Sequence, residues 1–255
     1  KRKLIKKFNW NNDKKIAVFF FNHLIDVNFH SGPREIFKDN YTWSNYILNK
    51  IPKIRNVYWI IKDHPSQPFY KSKLNFEDKI NYLEKKFKHI KIFRRDWDPS
   101  SLKKITDIAI TSHGTVGIEY PSFGIKSLYV EKSFYSNIDI IKKIKNIKEL
   151  NFKLTNLNNI KKISKSTIKK SNSFLYIRYV LLQNKCSLIT PHDTSRQINE
   201  DRFWEENSKL IKIFQYKTDE LFQMFRTQLK YNLRHTINFK KLKLRKKNYD
   251  DLSEK

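Results

Sequence analysis

The sequence predicts an α/β fold in which helices flank a parallel sheet and a helical C-terminal segment follows. Five short runs of β-branched and aromatic residues alternate with amphipathic segments over the first half of the chain. The chain has 4 glycines, and Gly114, Gly117 and Gly124 all fall in one stretch between such a run and the next. Beyond about Phe134 the alternation gives way to helical periodicity.

In chain order, "KIAVFFF" (15–21), "NVYWIIK" (56–62), "HIKIF" (89–93), "DIAIT" (107–111) and "SLYVE" (127–131) read as buried strands. Between them "YTWSNYILNKI", "NFEDKINYLEKKF", "PSSLKKI" and "GTVGIEYPSF" read as helices, the third opened by Pro99 in a favourable first-turn position. Pro121 predicts that the fourth is short or kinked. Strict alternation of strand and helix implies parallel pairing, and such sheets bind ligands at the carboxyl ends of their strands. The expected organisation is a linker over 1–14, a sheet domain over 15–150, a helical segment over 151–244 and a charged tail over 245–255. Within the helical segment, 200–244 reads as continuous helix, with Phe203, Trp204, Phe214, Phe222 and Phe225 as a packing stripe.

With 255 residues, 19 Phe and 13 Tyr, the chain can fill one sizeable core. The formal charge of +28, from 53 Lys+Arg against 25 Asp+Glu, has two readings: a nucleic-acid or anionic membrane partner, or the imprint of an AT-rich coding sequence. Abundant Lys, Asn and Ile beside scarce Gly favour the second. The lysines are spread along the chain without a known nucleic-acid motif, so no specific nucleic acid is expected. One cysteine, Cys186, excludes an intrachain disulfide, and no cluster has structural zinc spacing. No apolar run is long enough to span a bilayer. The basic opening "KRKLIKKFNW", without a methionine, reads as a piece of a longer protein.

Three segments at strand ends carry the chemistry. After the fourth strand, Ser112, His113, Gly114, Thr115 and Gly117 lead into a helix, where backbone N–H groups, hydroxyls and a missing Cβ favour a phosphate. The same glycines suit a tight turn or close helix packing equally well. Glu119, one turn on, suits ribose hydroxyls or the helix dipole. After the second strand, Lys62, His64 and Pro65 present two donors to a phosphate, with His64 able to transfer a proton. After the first strand comes "NHLIDVNFHSGPREIF" (22–37), long for a strand-to-helix loop, with His23 and Asp26 nearest the strand end and His30 and Arg34 further out.

In this order the segments resemble the C-terminal half of GT-B type bacterial glycosyltransferases that build surface and capsule polysaccharides, including the Kdo-transferase-like group. Their "KPHP"-like motif matches "KDHP" (62–65), and their glycine segment matches "HGTVGIEYPSFGIKSLYV" (113–130). Asp63 and Lys126 depart from the pattern, each standing where the family has proline. The resemblance implies a Rossmann-like domain that holds a nucleotide-sugar donor, CMP-linked sugars among the candidates. His64 would contact the donor phosphate, Ser112, Gly114 and Thr115 would cradle it, and Glu119 would bind ribose or sugar. His64, Asp26 and His23 are the catalytic candidates. It further implies a glycan or lipid-linked acceptor, an N-terminal domain outside this sequence, no cofactor or metal, and a cytoplasmic place at the inner membrane face. A glycerophosphate transferase, a sugar epimerase of the same fold and a basic nucleic-acid-binding module are the alternatives.

Overall fold

In the computed structural model, β1 (Ile16–Phe20) lies at the centre of the molecule's single described sheet, and each of its five residues is buried. The structure describes residues 2–11, 13–24, 34–65, 75–181, 200–215 and 217–232. Four further strands, β2 (Tyr58–Lys62), β3 (Ile90–Phe93), β4 (Ile108–Thr111) and β5 (Lys126–Tyr129), complete an all-parallel sheet of order β3-β2-β1-β4-β5. Register is set by pairs such as Val18 with Ile60 and Ala17 with Ile108. The order reverses at β1, so the switch point falls where β1, β2 and β4 end side by side.

Side-chain alternation splits the sheet into two apolar faces. Ala17, Phe19 and Phe21 enter one core with Trp43, Ile47 and Trp59. Ile16, Val18 and Phe20 enter the other with Ile60, Leu102 and Tyr120. On the first face lie α2 (Asn40–Lys50), α3 (Glu77–Lys86) and α6 (Ile147–Thr155); α2 is capped by Asp39, whose carboxylate accepts the Thr42 N–H at 2.6 Å. On the second lie α4 (Leu102–Ile105) and α5 (Val116–Ser122). Helix α5 has only 7 residues, and it ends in a turn at Gly124, whose φ of +81° explains the glycine there.

Residues 1–14 depart from the expected linker. They include α1 (Arg2–Lys7), and Ile5 and Trp10 are buried in the second core. Trp10 stacks on Tyr58 at 4.4 Å and donates from Nε1 to the Lys88 carbonyl at 2.8 Å. Two apolar residues five apart in a lysine-rich run are enough to dock the segment, although the charge masks them.

The chain divides into two units, Lys1–Asn172 and Ser173–Lys255. The first runs past the expected boundary at 150 because Leu150, Leu154 and Leu157 pack into the first core. It also holds most of α7 (Lys165–Tyr176). In the second unit a π-helical turn spans Ile177–Leu181, followed by α8 (Glu200–Ile213) and α9 (Glu220–Lys230). The expected continuous helix from 200 is thus interrupted, because Asp219 caps a new helix by accepting the Phe222 N–H at 2.9 Å. Of the expected packing stripe, Trp204, Phe222 and Phe225 are exposed. Cys186 and the tail lie outside the described residues, as does the part of that helix beyond 232.

Candidate functional site

The carboxyl end of β1 runs into Asn22 and His23, both buried, and these anchor the ends of its neighbours. The Asn22 side-chain oxygen accepts from the Thr111 hydroxyl at 3.1 Å and from the Ser112 N–H at 3.0 Å, tying β1 to the turn after β4. The Thr111 hydroxyl in turn accepts the Gly114 N–H at 3.2 Å. The His23 backbone carbonyl accepts from the Asn40 side chain at 2.7 Å. The His23 and His64 rings meet edge-on with centroids 5.7 Å apart, which joins the ends of β1 and β2.

Between these strand ends opens a pocket of about 430 Å³. Lys62, His64 and Pro65 line one side, and Gly114, Thr115 and Glu119 another. Phe20, Leu102, Val116 and Tyr120 form an apolar wall, and Lys103 adds a further cation. Lys62 has its ammonium group 5.5 Å from the Phe93 ring centroid, and burial lowers its pKa below the ordinary lysine value, partly opposed by Asp63. Burial also pushes the Tyr120 hydroxyl well above its ordinary value, so it stays protonated. The pocket offers cations and the Thr115 hydroxyl beside a glycine, a carboxylate, and a flat apolar surface.

Ser112, His113 and Gly117, expected among the phosphate contacts, do not line this pocket. Ser112 is fully buried, and its hydroxyl lies 3.4 Å from Arg34 Nη1 and 3.2 Å from His113 Nδ1. His113 Nδ1 also faces Arg34 at 3.3 Å, and the His113 carbonyl accepts from Ser133 at 2.8 Å. Gly117 faces away: a Cβ built on it would sit 2.0 Å from the Tyr135 hydroxyl. That hydroxyl donates to the Gly114 carbonyl at 2.8 Å, so Gly117 admits the ring that holds Gly114. The two glycines thus divide the labour, one open to the pocket and one to the packing behind it. Asp26 and His30 lie outside the described residues.

Asp63 and Lys126 have local explanations. Asp63 accepts the His64 N–H at 2.9 Å and pairs with Arg95 at 2.5 Å, which commits its charge to shaping the loop. Lys126 opens β5, at the end of the sheet opposite the pocket.

Reading the sequence missed two supports. Asn22 was only the first letter of a long loop. Glu131 read as the last residue of a strand, yet it is 2% exposed and accepts the N–H groups of Glu35, Ile36 and Phe37 at 2.8, 3.2 and 2.9 Å. Burial raises its pKa, opposed by the Phe37 and Ile36 N–H groups and by Arg34. An acid closing an apolar strand was the available signal. Among the described residues there is no group of three or more His, Cys, Asp or Glu that could hold a metal, and no helix long and apolar enough to cross a membrane.

No family model matches the chain, and no curated protein matches it. Among solved structures, it is similar to the wall teichoic acid polymerase TagF, at 14% identity and a TM-score of 0.39, over 83% of this chain and 46% of that one. It is similar to KpsC of Thermosulfurimonas dismutans, a β-Kdo 2,4 transferase, at 12% identity and a TM-score of 0.41, over 82% of this chain and 60% of that one. A UDP-GlcNAc 2-epimerase from Neisseria meningitidis, bound to UDP-GlcNAc, aligns at 14% identity and a TM-score of 0.41, over 67% of this chain and 42% of that one. The chain spans about half the length of these proteins.

Proposed function

We propose that this chain binds the nucleotide-sugar donor of a glycosyltransferase that builds a surface polysaccharide at the cytoplasmic face of a membrane. The observation that carries the reading is the pocket at the switch point of the sheet, where segments singled out separately at the ends of β2 and β4 meet around one space. In this reading Lys62, Lys103 and His64 balance the donor's phosphates, with Gly114 letting one approach the backbone and Thr115 donating from its hydroxyl. Glu119 accepts from ribose hydroxyls, and the wall of Phe20, Leu102 and Val116 takes the flat base. His23, edge-on to His64, is a positioning residue. Transfer further requires an acceptor and a base held against the donor, and the reading assigns those to a second domain.

The test is a titration of wild type and His64→Ala with cytidine, CMP and CDP, followed by the UDP and GDP series. If His64 holds phosphate through a charge-assisted hydrogen bond, its loss weakens CMP and CDP by about 10- to 100-fold, corresponding to about 1.5–3 kcal/mol, and leaves cytidine nearly unchanged. Equal losses for all three ligands overturn that role. No binding of any nucleotide by the wild type overturns the reading as a whole.

A further inference from the structure

Two further depressions lie beyond the donor pocket, along the end of β3 and the start of α3. The first, of about 600 Å³, adjoins the donor pocket through Phe21 and Asp63, which line both. Its floor is apolar, with Phe21, Phe76 and Ile80, and Phe76 is itself stacked on Tyr41 at 4.8 Å. Its rim mixes Asn75 and Asn81 with two guanidinium groups and the carboxylates of Asp63, Glu77 and Asp96. The second, of about 520 Å³, adjoins the first through Asn81 and Arg94 and follows the outer strand β3. Here Lys7, Lys85, Lys91 and Arg94 face a single carboxylate, Glu84, which pairs with Arg94 at 2.5 Å. Trp97 forms part of this wall, with Lys7 Nζ 4.4 Å from its ring centroid and Phe8 stacked on it at 5.8 Å.

The two depressions ask for different chemistry in sequence. An aromatic floor under amides and carboxylates suits a hydroxyl-rich ring, whose C–H face packs on carbon while its hydroxyls donate to the acids. The cationic notch next to it suits one negative group. A regular polyanion fits poorly, because a nucleic acid following this path would set phosphates against Glu77 and Asp96. A flat lipid surface does not reach into the floor of the first depression.

We propose that these depressions bind an acidic oligosaccharide, with a neutral sugar unit beside the donor pocket and a carboxylate or phosphate in the notch of Lys7, Lys85, Lys91 and Arg94. Calling that ligand the acceptor rests on the donor-pocket reading; its binding does not.

The experiment measures 3′-sialyllactose, which carries one carboxylate, and lactose, its neutral core, by ligand-observed NMR. Wild type, K7E/K85E/K91E and the single variant K85E are compared, with CDP titrated into the same samples. All three lysines are outside the donor pocket, and the Arg94–Glu84 pair is kept. Wild type should bind the acidic trisaccharide at least tenfold more tightly than lactose, with the advantage shrinking as salt rises. The triple variant should lose at least fivefold for sialyllactose, K85E a smaller part, and CDP affinity should move less than twofold. Equal binding of the two sugars overturns the proposal, as does unchanged sialyllactose affinity in the triple variant. It also falls if the triple variant loses a single-stranded DNA dodecamer or phosphatidylglycerol vesicles while keeping the sugar. Failure of CDP to bind wild type removes the donor reading and leaves the sugar comparison standing.

Discussion

The turn after β4 and the loop after β2 face each other across the same pocket, yet they are built in opposite ways. Behind the turn, Asn22, Thr111, Ser133 and Tyr135 each hold a backbone group, and most of these partners are buried. The loop, over Asp63 and His64, has one carboxylate bonded to its own backbone and to Arg95, whose side chain is 61% exposed. A frame tied by mostly buried side chains on one side and a loop shaped by a part-exposed ion pair on the other is a sensible division for a ligand that must enter and leave. It also predicts that damage on the two sides reads out differently, as lost stability at the turn and as lost binding at the loop.

The largest effect is expected at Gly117→Ala, where the new Cβ lands 2.0 Å from the Tyr135 hydroxyl. Denaturant unfolding should show a loss of about 3 kcal/mol, with Tyr135→Phe giving part of it back. A neutral result would mean that the frame is as adjustable as the loop. Next comes Asn22→Ala, which leaves the buried Ser112 N–H and the Thr111 hydroxyl without their acceptor, for about 2 kcal/mol by the same measurement.

Gly114→Ala tests the border between the two behaviours. Its Cβ would lie 2.8 Å from the Thr111 hydroxyl while the residue lines the pocket, so a stability loss of about 1 kcal/mol should accompany weaker nucleotide binding. Lys62, on the loop side, should cost binding alone. Because burial lowers its folded pKa, its charge is lost at a lower pH than that of an ordinary lysine as pH rises. CDP affinity should therefore fall by less than tenfold as pH is raised, with the fall starting below the ordinary lysine range, and Lys62→Met should flatten that slope.

All five strands and the four helices between them were legible because burial on both faces leaves continuous apolar runs such as that of β1, and turns leave Gly, Pro and Asp. The site was legible only as far as chemistry follows strand ends. That rule singles out His64, Gly114 and Glu119, and the three line one pocket. Gly117 was not separable from Gly114, because both lack a Cβ for opposite reasons, and only Tyr135, eighteen residues on, tells them apart. Ser112 looked like a phosphate donor because its hydroxyl carries no mark of its partners, Arg34 and His113. The segment before β1 was hidden by its lysines, since Trp10 finds its place only against Tyr58.

The position of β1 also governs how the chain reaches this state. Its N-terminal residue donates its backbone N–H to the Asp107 carboxylate at 2.8 Å, across a separation of 91 residues. Along the chain β2 precedes β4, so during synthesis β1 can pair with β2 while its other edge stays bare until β4 is made. Parallel pairing over such a distance raises contact order and slows folding. Of the five strands, β1 is made before the others yet keeps one edge bare until β4 follows, and for that interval its run of Ile, Val and Phe is open to wrong partners.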